Sequence, residues 1–317
     1  MSSTRPRILL TFLYNGRRTF YFLPQELDPD VLYYCTSITP HYQMNFPKGL
    51  GSSEGMCPPL RGLICNKSKK PMIYNPSTGE NMSVPKATTK RNKMKPYFGY
   101  DPIDKLFKVL CVSDDYVCRV LTLGTEEVTW RNVECLVPHQ PLHTEICIDG
   151  VLYYLAKRVR DGSPASLIVV CFDLRLERFK FREMVLNYVS SAFMINYHGK
   201  LGILSANSYC VGCYTKTIEL RVLVDEVVWG RKVFILPYYW KNLNAKTDAN
   251  IVGMTNAGEI VFFPYYVRDP FYIFYFSTVD NSVVRVEIDF GIEPFKAQNC
   301  SKISTFLNHV ESVELMD

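Results

Sequence analysis

Residues able to do chemistry are sparse in this chain and poorly grouped. Cys210-Val211-Gly212-Cys213 has the CxxC spacing used by zinc and redox sites. Zinc needs four ligands, and neither a second CxxC nor an HxxxH follows at finger-like distance. A redox CxxC belongs beside a βαβ pattern, which is missing. The expected role is a structural thiol pair or a turn. His139 and His143 stand four apart, but Pro138 and Pro141 oppose the helix that would align them. Gly49-Leu50-Gly51-Ser52-Ser53-Glu54-Gly55 looks superficially like a phosphate loop, yet it lacks the Gly-Lys-Ser/Thr ending and a following helix start. No Gly-x-Ser-x-Gly elbow occurs, and only 5 His are available as bases. The carboxylate pairs Asp114-Asp115 and Asp225-Glu226 fall at expected hairpin ends, where Asp favours turns. No catalytic residue, metal ligand or cofactor is therefore assigned.

Composition narrows the class. The 317 residues suffice for one large β domain or two smaller ones. Aromatic residues make up 14%, with 21 Tyr and 19 Phe, which favours strands. Net charge is only +5, and much of it sits in Lys86, Lys90, Arg91, Lys93 and Lys95. That run reads as a solvated loop between strands, and no chain-wide basic face points to nucleic acid. The 11 Cys are odd in number and scattered, several of them (Cys111, Cys147, Cys171) inside apolar runs. Free thiols of this kind fit a reducing compartment, so the expected location is cytoplasmic, nuclear or both. Ile8 to Tyr14 is too short for a signal peptide and is followed by Gly16-Arg17-Arg18. The apolar stretch Ile260 to Phe276 is broken by Pro264, Arg268, Asp269 and Pro270, so no membrane span is expected.

Two markers repeat along the chain. Trp130-Arg131, Arg178-Phe179-Lys180 and Trp229-Gly230-Arg231 each set an aromatic near a basic residue, at intervals of 49 and 50 positions. A Gly that opens an apolar strand recurs at Gly150, Gly199 and Gly258, with Gly62 of the same form earlier. Gly suits a hairpin tip because it reaches positive φ without steric cost. Leu167 to Phe172 and Ile218 to Val224 add strand signals between the markers. A unit of about 50 residues holding four short strands is the content of one propeller blade. The expected fold is all-β, a kelch-like β-propeller of about six blades. Its last stretch, Phe295 to Asp317, reads as a closing strand plus a loose tail. A β-sandwich with long insertions explains the strand content but not two markers keeping one interval.

More specific residues carry a family resemblance. They run in order from Arg5-Pro6-Arg7-Ile8-Leu9-Leu10-Thr11-Phe12 through Gly62-Leu63-Ile64-Cys65, Asn75-Pro76-Ser77-Thr78-Gly79-Glu80 and Phe98-Gly99-Tyr100-Asp101-Pro102-Ile103. Phe107-Lys108-Val109-Leu110, Leu121-Thr122-Leu123-Gly124 and Trp130-Arg131 follow, and then the run from Ile146 to Ala156. Cys171-Phe172-Asp173-Leu174-Arg175 and Val284-Arg285-Val286-Glu287-Ile288 complete the set. Together they resemble the associated domain of plant F-box proteins, a kelch-like β-propeller of the type 3 group. The resemblance implies a protein-binding domain that selects targets for an SCF-type E3 ubiquitin ligase, with no enzymatic activity of its own. A Leu-Pro start with helical apolar spacing and a Trp-containing end is not found, so residues 1–317 are expected to be propeller without an F-box. The SCF adaptor is then a partner only where an F-box is supplied elsewhere.

For contact with the unknown target protein, the aromatic clusters Tyr238-Tyr239-Trp240 and Tyr265-Tyr266 are the candidates, since Tyr and Trp bring large area with a polar tip. Burial between blades is the competing role for the same residues. The alternative function is a propeller enzyme or small-ligand binder. Kelch-type folds can house copper radical centres, which need a convergent Tyr, Cys and His, and no spacing marks one. A titratable cluster in the central channel would favour that alternative; an aromatic or charged patch on the loop face would favour target binding.

Overall fold

A computed structural model describes residues 5–14, 17–26, 37–38, 42–45, 55–68, 70–87, 94–113, 116–125, 127–159, 166–208, 210–243, 249–264, 271–289 and 303–312. Their strands form six sheets arranged as the blades of a propeller. Blade one holds β1 (Arg7–Tyr14), β2 (Arg17–Pro24) and β4 (Tyr42–Asn45), while β3 (Ser37–Ile38) leaves it for another sheet. Blade two holds β5 (Ile64–Cys65), β6 (Met72–Tyr74) and β7 (Asn81–Ser83). Its innermost strand is reduced to the bridges Met56↔Asn66 and Leu60↔Leu63. Blade three runs β8 (Met94–Asp101), β9 (Leu106–Ser113), β10 (Cys118–Thr122) and β11 (Arg131–Val133). Blade four runs β12 (His139–Ile148), β13 (Val151–Arg158), β14 (Ser166–Asp173) and β15 (Arg178–Glu183). Blade five runs β16 (Phe193–Tyr197), β17 (Lys200–Ala206), β18 (Thr217–Leu223) and β19 (Trp229–Ile235). Blade six runs β20 (Ala249–Met254), β21 (Glu259–Pro264), β22 (Phe271–Ser277) and β23 (Ser282–Ile288), and takes β3 on its outer edge. The last strand, β24 (Ser304–His309), pairs with β1 and becomes the inner strand of blade one.

The burial of each strand follows from its place in a blade. Middle strands are covered on both faces by neighbouring blades, so β14 reads SLIVVCFD and buries five consecutive residues. The outer strand β15 reads RFKFRE and keeps Arg178, Lys180 and Glu183 toward solvent. On β1 the two faces serve different neighbours. Ile8, Leu10 and Phe12 pack with Val261, Phe263 and Ile273 of blade six, and Leu9 packs with Met56, Ile64 and Tyr74 of blade two. Inner strands meet around the axis, β8 with β12, β12 with β16, β16 with β20 and β20 with β24.

Both repeat markers have a structural meaning. Phe179 and Trp229 lie on the outer strands of their blades, and Trp130 immediately precedes one. Gly62, Gly150, Gly199 and Gly258 all have positive φ at the turn joining the first two strands of a blade. Arg61, Asp149 and His198 precede three of them and are also at positive φ, giving the two-residue turns whose twist matches a hairpin. These turns lie at one end of the propeller together with the turns between third and fourth strands. In the latter, Asn75 Oδ1 accepts from Ser77 N at 3.0 Å, and Asp173 Oδ1 accepts from Leu176 N at 2.8 Å. Asp225-Glu226 belongs to the turn of blade five, where Glu226 pairs with Lys180 of blade four at 2.7 Å. Asp114-Asp115 and His143's side chain lie outside the described residues.

Ring closure generates two predictions. A Cβ on Gly62 would fall on Ser312, 2.7 Å from its backbone N, whereas a Cβ on Gly199 meets nothing within 4 Å. Both positions have positive φ, so Gly199→Ala should cost about 1 kcal/mol and Gly62→Ala about 2–4 kcal/mol, read as urea midpoints at equal slope. His309 of β24 is buried and both ring nitrogens lack a hydrogen-bond partner among the described residues. Burial, helped by Arg7, lowers its pKa to about 4. A folded value below the unfolded one means that stability is whole above the unfolded pKa and falls as pH drops through the interval down to the folded value. Unfolding free energy should therefore fall by about 3 kcal/mol between roughly pH 6.5 and 4. His309→Gln should lose that part of the pH dependence in a pH series of urea melts.

Candidate partner-binding face

Outside blade one, the end opposite the tight turns carries the longer connections, between second and third strands and between one blade and the next. Blade five brings two of them together. Residues 207–216 join β17 to β18, and residues 236–248 join β19 to β20. Leu236 N donates to Lys216 O at 2.9 Å, and Val211 exchanges backbone bonds with Ala249.

Trp240 locks the pair. It starts a single helical turn, Trp240–Leu243, and is only 1% exposed. Its ring lies 5.3 Å from those of Phe262 and Phe274, between blades five and six. Its Nε1 donates to Gly212 O at 2.9 Å, inside the Cys210-Cys213 turn. That turn is closed further by Thr215, whose Oγ1 accepts from Gly212 N at 3.0 Å and donates to Cys210 O at 3.2 Å. The CxxC is thus a turn, and no group of three or more His, Cys, Asp or Glu fit to hold a metal occurs among the described residues.

The candidate aromatics are consequently split. Tyr238 is 87% exposed. Tyr239 is half-buried, its hydroxyl accepting from Val283 N at 3.0 Å. Trp240 cannot offer surface because its indole fills the core, so it positions its neighbours instead. Tyr265 and Tyr266 lie outside the described residues. A residue that sequence reasoning missed joins Tyr238. Tyr214, directly after the CxxC turn, is 90% exposed. The signal was available, since a Tyr next to a tight turn between strands has no blade to pack into. Lys216 and Lys241 are exposed beside the two tyrosines, and the described residues of both connections include no carboxylate. Of the basic run, residues 88–93 lie outside the described residues; Lys86 is exposed, whereas Lys95 turns inward and donates to Pro141 O at 2.6 Å. The turn end exposes apolar residues too, Ile103, Leu176 and Val279 singly and Val224, Val227 and Val228 together in the turn of blade five, but these are aliphatic and lack the polar tip of a tyrosine.

A titratable cluster does lie between the inner strands. Lys67, just past β5, reaches Glu145 of β12 at 2.5 Å, linking blade two to blade four across β8. Burial pushes the Glu145 carboxyl up, and Lys67 and Lys95 hold it back. Tyr97 donates to Leu142 O at 3.2 Å, and Cys57 sits against Pro96 O at 3.6 Å. These groups are engaged with one another and with backbone, so the cluster acts as a clasp between inner strands.

Comparison with known proteins agrees with this architecture. The sequence matches the F-box associated beta propeller domain family over residues 7–310. F-box protein At3g47030 of Arabidopsis thaliana is 56% identical over 329 residues, covering 99% of this chain and 79% of that protein. F-box protein At1g53790 is 38% identical, covering 100% and 72%, and F-box protein DOR is 35% identical, covering 99% and 82%, both from Arabidopsis thaliana. Among solved structures, a luciferin-regenerating enzyme is similar at 10% identity and a TM-score of 0.46, covering 83% of this chain and 94% of that one, a likeness too low to bear on function. With the family matched across nearly its whole length and six blades in place, the chain belongs to the F-box associated beta propeller domain family.

Proposed function

We propose that this chain is a target-recognition domain for an SCF-type ubiquitin ligase, and that it grips a protein through the loop end of blade five. The single observation that carries the site is the pair Tyr214 and Tyr238, about nine-tenths exposed on two connections that Trp240 ties into the core. Exposed aromatics on a rigid base suit binding, because little side-chain entropy is lost when a partner covers them. The flanking Lys216 and Lys241 favour a target with an acidic stretch beside its apolar contact.

Family membership supports the ligase context, since the relatives are named F-box proteins. In this reading the propeller selects and catalyses nothing. The adaptor is met through an F-box, not through the blades. The nine described cysteines are thiols rather than disulfides, which fits the cytosol or nucleus as the place of work. No helix among the described residues is long and apolar enough to cross a membrane.

The test is affinity capture from plant extract with three baits: the natural chain, Tyr214→Ala/Tyr238→Ala, and the turn-end control Ile103→Ala/Leu176→Ala. A discrete protein retained by the natural chain and the control, and reduced at least tenfold with the double tyrosine variant, is the expected result, each buried anchor being worth about 2 kcal/mol. Equal retention by all three baits would remove the loop end of blade five from the reading. Probing the same eluates for the ligase adaptor separates the second element. Adaptor retained by the tyrosine variant at the natural level would mean that the blades themselves contact it elsewhere, and the proposed dependence on an F-box would fall.

A further inference from the structure

The outer strand of a blade has one edge that no strand of its own blade can pair. On blade six β3 takes that edge, running parallel to β23. The outer strands β7 and β11 are only three residues long. That leaves β15 and β19 as long outer strands whose far edge has no partner strand among the described residues.

The direction of the backbone groups on β19 follows from its register. It pairs with β18 from Leu223↔Trp229 to Thr217↔Ile235 without a shift. Just beyond the two ends, Val224 N donates to Val228 O and Leu236 N donates to Lys216 O, each at 2.9 Å. Bonded and non-bonded pairs alternate along an antiparallel ladder. Gly230, Lys232 and Phe234 therefore bond inward to β18, and Trp229, Arg231, Val233 and Ile235 turn their N–H and C=O groups outward. Proteins usually blunt such an edge with a bulge, a proline or a very short strand. With seven residues, β19 has none of these.

Its side chains add chemistry. On β15 the exposed positions are all charged, Arg178, Lys180 and Glu183. On β19 Val233 and Ile235 are exposed beside Arg231 and Lys232. Arg231, Val233 and Ile235 share a face with Trp229, which packs into the core between blades four and five. Lys232 lies on the other face, 4.9 Å from the centroid of the Phe234 ring. Residues 229–243 hold Arg231, Lys232 and Lys241 and no carboxylate. The edge thus joins outward backbone groups, a short aliphatic row and positive charge.

We propose that the outer edge of β19 is a strand-addition site, and that its occupant is an extended segment of a partner protein in which aliphatic and acidic residues alternate. Backbone bonds to Arg231, Val233 and Ile235 hold the segment. Its aliphatic side chains extend the row of Val233 and Ile235, and its carboxylates fall on the Lys232 face. A second copy of β19 is the poorer occupant, because it would bring the Arg231 and Lys232 of both copies to one seam. The site stands independently of Tyr214 and Tyr238, which belong to the loops beyond the strands.

The test is fluorescence anisotropy of a labelled peptide, Glu-Val-Glu-Ile-Glu-Val-Glu, with the intact chain, followed by amide hydrogen exchange on the complex. Saturable binding that weakens as salt is raised is expected, with slowed exchange at Arg231, Val233 and Ile235. Val233→Pro removes an outward N–H and keeps the β18 ladder, since an edge strand tolerates proline there; it should weaken binding by about tenfold or more. Val233→Ser/Ile235→Ser, which changes exposed side chains only, should weaken it by a similar factor. Tyr214→Ala/Tyr238→Ala should leave it unchanged, and the peptide with Lys in place of Glu should not bind. No saturable binding, exchange slowed elsewhere, equal binding by the serine variant, or loss of binding in the tyrosine variant each overturns the proposal. A dimer in sedimentation that Val233→Pro abolishes overturns it too, because a second copy would then hold the edge. The serine variant and the exchange pattern of the natural chain decide the matter even where Val233→Pro fails to fold.

Discussion

Everything in this fold depends on the pairing of β24 with β1. A blade buries little of its own, because each sheet face is covered only by the next blade along. Blade one would expose Ile8, Leu10 and Phe12 on one side and Leu9 on the other if either neighbour withdrew. The strand that completes it comes from the far end of the described chain, in a register that places His309 opposite Arg7 and Ser304 opposite Thr11, with a bulge after Arg7. The cost of joining such distant segments in sequence rises only slowly with loop length, and the core formed on both sides offsets it.

Closure also divides the molecule into two unlike ends. At the turn end, Asn and Asp side chains satisfy their own backbones and charged turns grip the adjacent blade, as Glu177 does with Lys108 and Arg131. Such turns leave little backbone free to recognise anything. At the loop end, connections are longer and are tied down from beneath, by Trp240 at blade five and by Lys67 and Glu145 near the axis. Rigidity comes from the core and chemical variety from the surface, the usual division between scaffold and recognition loops.

Much of this was legible in the sequence because blade geometry is periodic. The aromatic positions Trp130, Phe179 and Trp229 mark the outer strands, and Gly150, Gly199 and Gly258 mark tips where φ must be positive. Blade two hid itself by keeping its inner strand as two bridges, and blade one by borrowing its inner strand from β24. The site was less legible because exposure is not a property of residue type. Tyr238 and Trp240 are two positions apart, yet one lies in water and the other in the core, as decided by Phe262 and Phe274 on strands that come later. Tyr214 is masked in the sequence by the CxxC beside it, whose spacing points to metal chemistry rather than to a turn that lifts a ring into solvent.

The short strand β3 runs parallel to β23, with Ser37 beside Glu287 and Ile38 beside Ile288. Blades one and six are therefore sewn together twice, at the hub by β24 and at the rim by β3. A ring fastened at one radius can hinge open like a split washer, its seam swinging while the remaining blades stay stacked. Fastened at two radii, the seam resists rotation as well as separation. The join made last along the chain then ceases to be the natural tear line, and the six blades behave mechanically as a wheel without a marked beginning.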